Sequence, residues 1–263
     1  MTSHPVLQRI WSESRDLLRF LVIAAPAYFA FTTVAFAAYS IPSESMVPTL
    51  EVSDRVVVSK FAYGYSRYSL PAPLDRLLPA AVTRLLEQQP KRGDVIVFMH
   101  PRERKVMIKR LIGLPGDTIE VRDGVLRVNG ATVARDEGRS IVRVAHGMGL
   151  ENAVRYRETL PGGATHAIDE FSAQSAFDNF GPYVVPAHCI FAMGDNRDNS
   201  LDSRWDGMGP VPEENLIGRA ETVYFTMPRV GRATGVDAPE PRLFRPLRAA
   251  QSARAAPQTR PQE

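Results

Sequence analysis

The longest apolar segment of the sequence runs from Phe20 to Tyr39 and contains no charged residue. Twenty helical residues span about 30 Å, the thickness of a bilayer hydrocarbon core, so the segment is predicted to be a transmembrane anchor. Two alternatives remain open. A helix buried in a protein core would have a similar composition, and residues 35–37 (Ala-Phe-Ala) resemble the cleavage site of a secretory signal peptide.

Basic residues lie mainly on one side of this anchor. Three arginines precede it, whereas the next basic residue after it is Arg55. The positive-inside rule therefore predicts that residues 1–19 are cytoplasmic and that residues 40–227 form an extracytoplasmic domain.

The region after the anchor consists mostly of short β-branched runs separated by Gly, Pro and Asp. The predicted strands are Arg55–Lys60, Asp94–Met99, Val106–Ile112, Thr118–Arg122, Val125–Val128 and Thr222–Phe225. Asp123-Gly124 and Asn129-Gly130 are tight-turn dipeptides, so residues 118–133 are predicted to form a hairpin. The fold class is therefore mainly β, with an antiparallel or barrel-like sheet.

Two segments differ from this strand pattern. Leucines at helical spacing make residues 74–85 a candidate amphipathic helix, whose apolar face would pack on the sheet or lie at the lipid interface. Residues 228–263 hold seven arginines, three acidic residues and six prolines, a composition that favours disorder. This tail carries a formal charge of +4 and the rest of the chain −1, so the folded part has no basic excess for nucleic-acid binding.

Several kinds of site are excluded by the sequence. The single cysteine, Cys189, cannot form an internal disulfide, and its neighbour His188 would point to the opposite face of a strand. The acidic segment 195–206 lacks the glycine and glutamate that a calcium loop has at its sixth and twelfth positions. We therefore expect neither a metal ion nor a cofactor.

Two serines and one lysine need an explanation. Ser43 and Ser45 lie in a segment stiffened by two prolines, IPSESMVPTL (41–50), and Lys109 interrupts the apolar run 106–112. Burial can lower the pKa of a lysine by several units, and a neutral lysine can then act as the general base that a serine nucleophile requires. The alternative is an edge-strand lysine that discourages aggregation.

Three motifs in a fixed order complete the pattern. They are IPSESMVPTL (41–50), IKRLIGLPGD (108–117) and GDNRDNSLDSR (194–204). With them the sequence resembles bacterial signal peptidase I (family S26), the membrane-bound Ser/Lys endopeptidase that removes signal peptides. The resemblance covers most of residues 40–225 and includes DRVVVSKFAYG (54–64), KRGDVIVF (91–98) and VPEENLIGRA (211–220).

The resemblance implies a role for each matching residue. Ser45 would be the nucleophile and Lys109 its general base. Ser43 would donate its hydroxyl to the oxyanion hole beside the backbone N–H of Ser45. Ser200 would orient the lysine.

The resemblance also implies a scaffold and a substrate class. Asp202 and Arg204 would form a structural ion pair that holds the 194–204 loop. An apolar wall would leave room for small side chains only, at the positions one and three before the cut (Ala-x-Ala). That wall comprises Ile41, Pro42, Met46, Leu50, Met107 and Ile108. The implied partners are signal peptides of exported preproteins, membrane lipid and a nearby export translocon, at the bacterial inner membrane and without nucleic acid.

Two departures from the family pattern stand out. Glu44 lies between the serines, and its carboxylate must point away from Lys109, because a nearby negative charge would keep the lysine protonated. The segment 204–210 is also looser than the family pattern. A related Ser/Lys peptidase with a dedicated substrate remains the nearest alternative, and a catalytically inactive membrane-anchored scaffold is a second.

Overall fold

In a computed structural model of the chain, the described residues are 5–70, 84–145, 149–171, 174–226, 243–247 and 250–251. They contain one α-helix, α1 (Pro5–Ala35). The strands are β1 (Phe36–Ser40), β2 (Asp54–Ser59), β3 (Val95–Met99), β4 (Val106–Gly113), β5 (Thr118–Arg122), β6 (Val125–Val128), β7 (Ala131–Thr132), β8 (Ala134–Arg135), β9 (Arg139–Ala145), β10 (Gly149–Thr159), β11 (Ala164–Glu170), β12 (Phe180–Val184), β13 (Cys189–Met193), β14 (Val211–Pro212), β15 (Leu216–Thr226), β16 (Arg245–Pro246) and β17 (Ala250–Gln251). Short 3-10 helices lie at Lys60–Tyr63 and Glu213–Asn215.

The helix α1 contains the predicted membrane segment but ends before it does. Glu13–Ala35 is long and apolar enough to cross a bilayer, and none of its most apolar part is buried inside the protein. Residues 36–39, predicted as the end of the anchor, instead belong to β1, which pairs with β2 from Phe36↔Ser59 to Ser40↔Arg55. Because β1 follows the helix without a linker, the helix is joined directly to the main sheet.

The main sheet is antiparallel and curls into a half-barrel. Its strand order is β1-β2-β15-β3-β4-β13-β14, and β16 pairs with β15. The mainly β fold class predicted from the sequence is therefore confirmed. All six predicted strands are present, although the last one is the C-terminal half of the longer β15.

The predicted hairpin at residues 118–133 is also present. It forms β5, β6 and β7, which join β12 in a four-stranded sheet. Its turn residues have positive φ, 49° and 74° at Asp123 and Gly124, and 52° and 79° at Asn129 and Gly130. Asn, Asp and Gly tolerate this backbone region, which is why these dipeptides mark tight turns.

A second sheet contains β8, β9, β10, β11 and β17. No strand is predicted from the sequence at its residues. Its longest pairing joins β9 to β10, from Arg155↔Arg139 to Gly149↔Ala145. The isolated bridge Asp169↔Asn196 connects it to the 194–204 loop.

Two sequence predictions fall largely outside the described residues. Residues 71–83, most of the candidate amphipathic helix, are not described, and Leu85 at its end forms a β-bridge with Tyr65. Most of the tail is likewise undescribed. The prediction of disorder does not hold at Arg245–Leu247, because β16 extends the main sheet and Leu247, 6% exposed, packs into a hydrophobic cluster of the core.

Candidate active site

The serine loop, residues 41–50, is fixed to the main sheet by its apolar side chains. Ile41, Met46 and Leu50 are at most 2% exposed and belong to one hydrophobic cluster. The backbone turns tightly, with the N–H of Leu50 donating to the carbonyl of Met46 at 2.8 Å. Ser45 is buried, Ser43 is exposed, and their hydroxyl oxygens lie 3.4 Å apart.

Lys109 reaches this loop from the middle of β4. It is 2% exposed, and its Nζ lies 2.5 Å from Ser45 Oγ. Loss of solvation lowers the pKa of Lys109 to about 8, although the carboxylates of Asp202 and Asp195 oppose the shift. The lysine is therefore a buried amine that can lose its proton near neutral pH and that already contacts a hydroxyl.

The next residue on β4, Arg110, is equally buried but is fully paired. Its Nε and Nη2 donate to the two carboxylate oxygens of Asp195 at 2.8 and 2.6 Å. Its Nη1 donates to the carbonyl of Gly93 at 2.7 Å. Burial alone would raise the pKa of Asp195, but Arg110 holds it below its usual range. This pair links β4 to the start of the 194–204 loop.

The 194–204 loop packs directly against the serine loop. A Cβ on Gly194 would lie 2.4 Å from the carbonyl oxygen of Ser45 and 2.2 Å from Ser200 Oγ, so only glycine fits there. Asp202 accepts a hydrogen bond from the N–H of Gly194 at 2.9 Å and pairs with Arg204 at 2.9 Å. The contact implied for Asp202 and Arg204 therefore exists, and it braces the loop at the point where it touches Ser45.

Ser200 is placed beside these groups without the contact implied for it. It is 2% exposed, and its Oγ has no hydrogen-bond partner in the described part of the chain. The expected hydrogen bond to Lys109 is accordingly not present in this arrangement. This buried, unpaired hydroxyl lies next to the serine loop. It can still form a hydrogen bond with a bound substrate, or with Lys109 when the lysine changes its charge.

The looser segment 204–210 forms a compact turn. The N–H groups of Met208 and Gly209 donate to the carbonyl of Trp205 at 3.0 and 2.9 Å. A Cβ on Gly207 would lie 2.2 Å from the Trp205 ring, so the indole covers this glycine. The turn is therefore packed against the ring of Trp205, its own residue.

The six predicted wall residues divide into two groups. Ile41, Met46 and Leu50 are core residues, as described above. Pro42 is exposed, and Met107 and Ile108 are partly exposed, packing against different hydrophobic clusters. Of the six wall residues, only the second group has accessible surface.

One side of β4 is open beside these residues. On that side β13 pairs with Arg110, Leu111 and Gly113. No strand of the described residues pairs there with 106–109, whose other side is covered by β3. Within the described residues, the backbone of 106–109 therefore has no strand partner on the side that β13 covers further along β4.

Two polar contacts on the serine loop were missed by the sequence analysis. Glu44 forms a salt bridge of 2.8 Å with Arg143 on β9. Asn196 donates from its backbone N–H to the carbonyl of Ser45 and from its side chain to the carbonyl of Glu44, both at 3.2 Å. Asn196 lies in the recognised GDNRDNS motif, whereas no local pattern marks Arg143.

A buried histidine was also missed. His166 lies 3.6 Å from Glu158 Oε2 and 3.9 Å from Asp195 Oδ1, and neither ring nitrogen has a hydrogen-bond partner among the described residues. Burial, helped by Arg110, lowers its pKa to about 3. Within the described ranges, no group of three or more His, Cys, Asp or Glu side chains is arranged to hold a metal ion.

A mainly β domain that brings a loop serine against a buried lysine has the parts of a hydrolase with an activated serine. The model of a protein family described as signal peptidase, peptidase S26, matches residues 14–225. The chain belongs to this family.

Curated relatives are named signal peptidase I. Signal peptidase I of Rickettsia typhi is 36% identical over 198 residues, 72% of this chain and 71% of the relative. Signal peptidase I of Pseudomonas aeruginosa is 38% identical over 200 residues, 72% of this chain and 65% of the relative. A crystal structure of a signal peptidase I from Enterococcus faecalis V583 matches with a TM-score of 0.31 and 27% identity, covering 50% of this chain and 97% of that one. The family match and the two sequence relatives confirm the resemblance found in the sequence, and with it the prediction of a signal peptidase enzyme.

Proposed function

We propose that the chain is a membrane-bound serine endopeptidase that removes signal peptides from exported preproteins with Ser45 as nucleophile and Lys109 as general base. The observation that carries the proposal is the 2.5 Å separation between Lys109 Nζ and Ser45 Oγ. With a pKa of about 8, roughly a fifth of the lysine is neutral at pH ~7.4, against about 0.1% for a free lysine.

The mechanism follows from these positions. Neutral Lys109 takes the proton of Ser45 as Oγ attacks the scissile carbonyl carbon, and the new ammonium returns the proton to the leaving amine. The acyl-enzyme is then hydrolysed by a water molecule that gives a proton to Lys109. The resulting tetrahedral intermediate collapses, Lys109 passes that proton to the departing Ser45 Oγ, and the signal peptide is released with a new C-terminal carboxyl group.

The other residues serve these two steps. The hydroxyl of Ser43 and the backbone N–H of Ser45 would stabilise the oxyanion, each donor contributing about 3 kcal/mol in the transition state. The unpaired hydroxyl of Ser200 would rotate to orient the amine of Lys109. The Asp202–Arg204 pair would keep the loop of Ser200 in place.

The open edge of β4 would bind the substrate as an added strand. Alternate side chains of the peptide would then face a wall that includes Pro42, Met107 and Ile108, with the buried side chains of Ile41, Met46 and Leu50 behind it. Such a wall cannot yield without disturbing the core, so residues larger than alanine at the first and third positions before the cut would cost about 1–3 kcal/mol.

The membrane part of the proposal rests on α1. The segment Glu13–Ala35 would span the inner membrane once, with residues 1–19 largely in the cytoplasm and the β domain on the extracytoplasmic side, near the export translocon. Protease added to intact spheroplasts should then degrade the β domain. Protection of the domain in spheroplasts, but not after lysis, would reverse the orientation.

The proposal is tested with the full-length protein in detergent micelles and a preprotein substrate. Wild type should cleave after Ala-x-Ala, Ser45→Ala should be inactive, and the exposed control Ser40→Ala should match wild type. In peptides with Ala, Val, Leu or Phe at each of the last three positions, kcat/KM should fall by up to about 150-fold at the first and third positions only. Cleavage by Ser45→Ala would rule out Ser45 as the nucleophile. Equal kcat/KM values for all side chains at all three positions would rule out the two-pocket specificity.

A further inference from the structure

A salt bridge connects the serine loop to the second sheet at the residue between the two serines. Glu44 lies between Ser43 and Ser45, and its Oε1 is 2.8 Å from Nη2 of Arg143. The two side chains are only 10% and 4% exposed. A carboxylate is thus held in a poorly solvated environment one residue from Ser45.

Arg143 is itself firmly placed. It is in the middle of β9, where it pairs with Glu151 of β10. The face of its guanidinium lies 5.2 Å from the centre of the Phe171 ring, and its Nη1 is buried without a hydrogen-bond partner in the described ranges. The cation is therefore fixed by the second sheet and directed to the carboxylate of Glu44.

The protonation of Lys109 depends on the balance of the charges around it. The carboxylates of Asp202 and Asp195 favour protonated Lys109, whereas the cations Arg204 and Lys105 oppose protonation. The neighbour Arg110 is neutralised by Asp195. One further uncompensated carboxylate on the serine loop would shift this balance towards the ammonium form, in which Lys109 cannot accept the proton of Ser45.

We propose that Arg143 is a positioning residue of the active site, which binds the carboxylate of Glu44 and neutralises it so that Lys109 can act as a base. This inference rests on the proposed Ser/Lys mechanism. It assigns to the second sheet a direct electrostatic role in the reaction, through a residue that touches neither the serine nor the lysine.

The test is the pH dependence of kcat for the full-length enzyme and a set of variants. Arg143→Gln removes the positive charge that binds the Glu44 carboxylate, so the apparent pKa of the rate profile should rise by about 1 unit, and kcat below that pKa should fall about tenfold. Glu44→Gln leaves Arg143 uncompensated, so the apparent pKa should fall. The double variant has neither charge, so its pH profile should return towards that of the wild type. Arg143→Lys keeps the positive charge and should retain the wild-type profile. Arg139→Gln, an exposed arginine of the same strand, is the matched control and should leave the profile unchanged.

The opposite shifts separate this role from a structural one. A residue that only stabilises the fold would lower the melting temperature and the amount of active enzyme without moving the pKa of the profile. If Arg143→Gln does not fold, Glu44→Gln and the double variant still test the direction of the shift and its recovery. Unchanged profiles, or shifts of the same sign in both single variants, would overturn the inference.

The same assay distinguishes failure of the inference from failure of the proposed function. If Ser45→Ala still cleaves at the wild-type rate, the Ser/Lys mechanism itself is refuted, and the role of Arg143 with it. Cleavage that requires Ser45 and Lys109 but ignores the charge at position 143 would refute only the role of Arg143.

Discussion

Lys109 and Arg110 are adjacent on β4, and both are nearly inaccessible to solvent, at 2% and 1% exposure. Their surroundings differ completely. Lys109 contacts the neutral hydroxyl of Ser45, whereas Arg110 is held by both oxygens of Asp195 and by a backbone carbonyl. One strand therefore carries a buried cation whose charge is poorly compensated beside one whose charge is fully compensated.

The difference teaches how burial produces either reactivity or stability. A buried charge is costly unless it is paired and hydrogen-bonded. Arg110 avoids the cost by pairing, because a guanidinium does not lose its proton in proteins. Lys109 avoids it by becoming neutral, which gives the base that a serine nucleophile needs. Strand alternation lets two such environments lie one residue apart, because neighbouring side chains point to opposite faces.

The largest expected effect comes from replacing Lys109 by arginine, which makes it like its neighbour Arg110. Lys109→Arg keeps the positive charge but cannot supply a neutral base, so cleavage of a preprotein should fall by about 10⁴-fold or more. Lys105→Arg, the same substitution at an exposed position four residues earlier, is the control and should remain active. Near-normal cleavage by Lys109→Arg would refute the Ser/Lys dyad.

The converse change removes the paired cation. Arg110→Met leaves the buried carboxylate of Asp195 without its partner, and the loss of folding stability should be about 3–5 kcal/mol. Thermal unfolding in detergent measures it, with the exposed Arg122→Met as control. Replacing both partners, Arg110→Met with Asp195→Leu, should recover much of the loss. Equal stability of Arg110→Met and Arg122→Met would mean that the pair contributes little to the fold.

The third change acts on the reactive side alone. Ser43→Ala removes an exposed hydroxyl, so the melting temperature should stay the same, while kcat falls by about 10²–10³ with little change in KM. Cleavage kinetics and unfolding measured on one preparation separate the two effects. A rise in KM with unchanged kcat would make Ser43 a substrate contact instead of an oxyanion donor.

Local features of β4 and its neighbours could be predicted from the sequence, whereas contacts between distant residues could not be predicted from local patterns. Local patterns predict four strands of the main sheet (β2, β3, β4 and β15) and the turns Asp123-Gly124 and Asn129-Gly130, through β-branched runs and residues that accept positive φ. The other strands of that sheet, β1, β13, β14 and β16, were not predicted. A lysine inside an apolar strand is likewise a local signal. The contact between Lys109 and Ser45 joins residues 64 apart in sequence, and it was expected because the sequence resembles a known family.

The second sheet was not predictable in this way. Its strands β9 and β10 are rich in charged residues, and two of these side chains, Arg143 and Glu158, are buried in ion pairs instead of facing water. Arg197 with Glu158, and Arg143 with Glu44, lie on strands or loops distant in sequence. Hydrophobic alternation does not detect a strand whose buried positions are polar, and nothing local indicates which arginine meets which carboxylate.

The smallest expected effect is on the pH dependence of folding stability. It tests directly whether the charge of Lys109 is compensated in the folded protein. Lys109 is charged in both folded and unfolded chains below pH 8, and neutral in both above pH 10.5. Between these values the unfolded chain binds more protons, so folding stability should rise with pH. Relative to Lys109→Met, the wild type should gain up to about 3 kcal/mol across this window. Thermal or denaturant unfolding at a series of pH values measures the gain.

The control for that series is Ser43→Ala, which keeps the lysine and should follow the wild-type curve. Comparing each protein with Lys109→Met at the same pH cancels the titration of tyrosines and other lysines, which would otherwise obscure a change of this size. A difference that stays flat from pH 8 to 10.5 would mean that Lys109 keeps an ordinary pKa in the folded protein. Its burial would then be compensated as that of Arg110 is, and the reactive side of β4 would need another base.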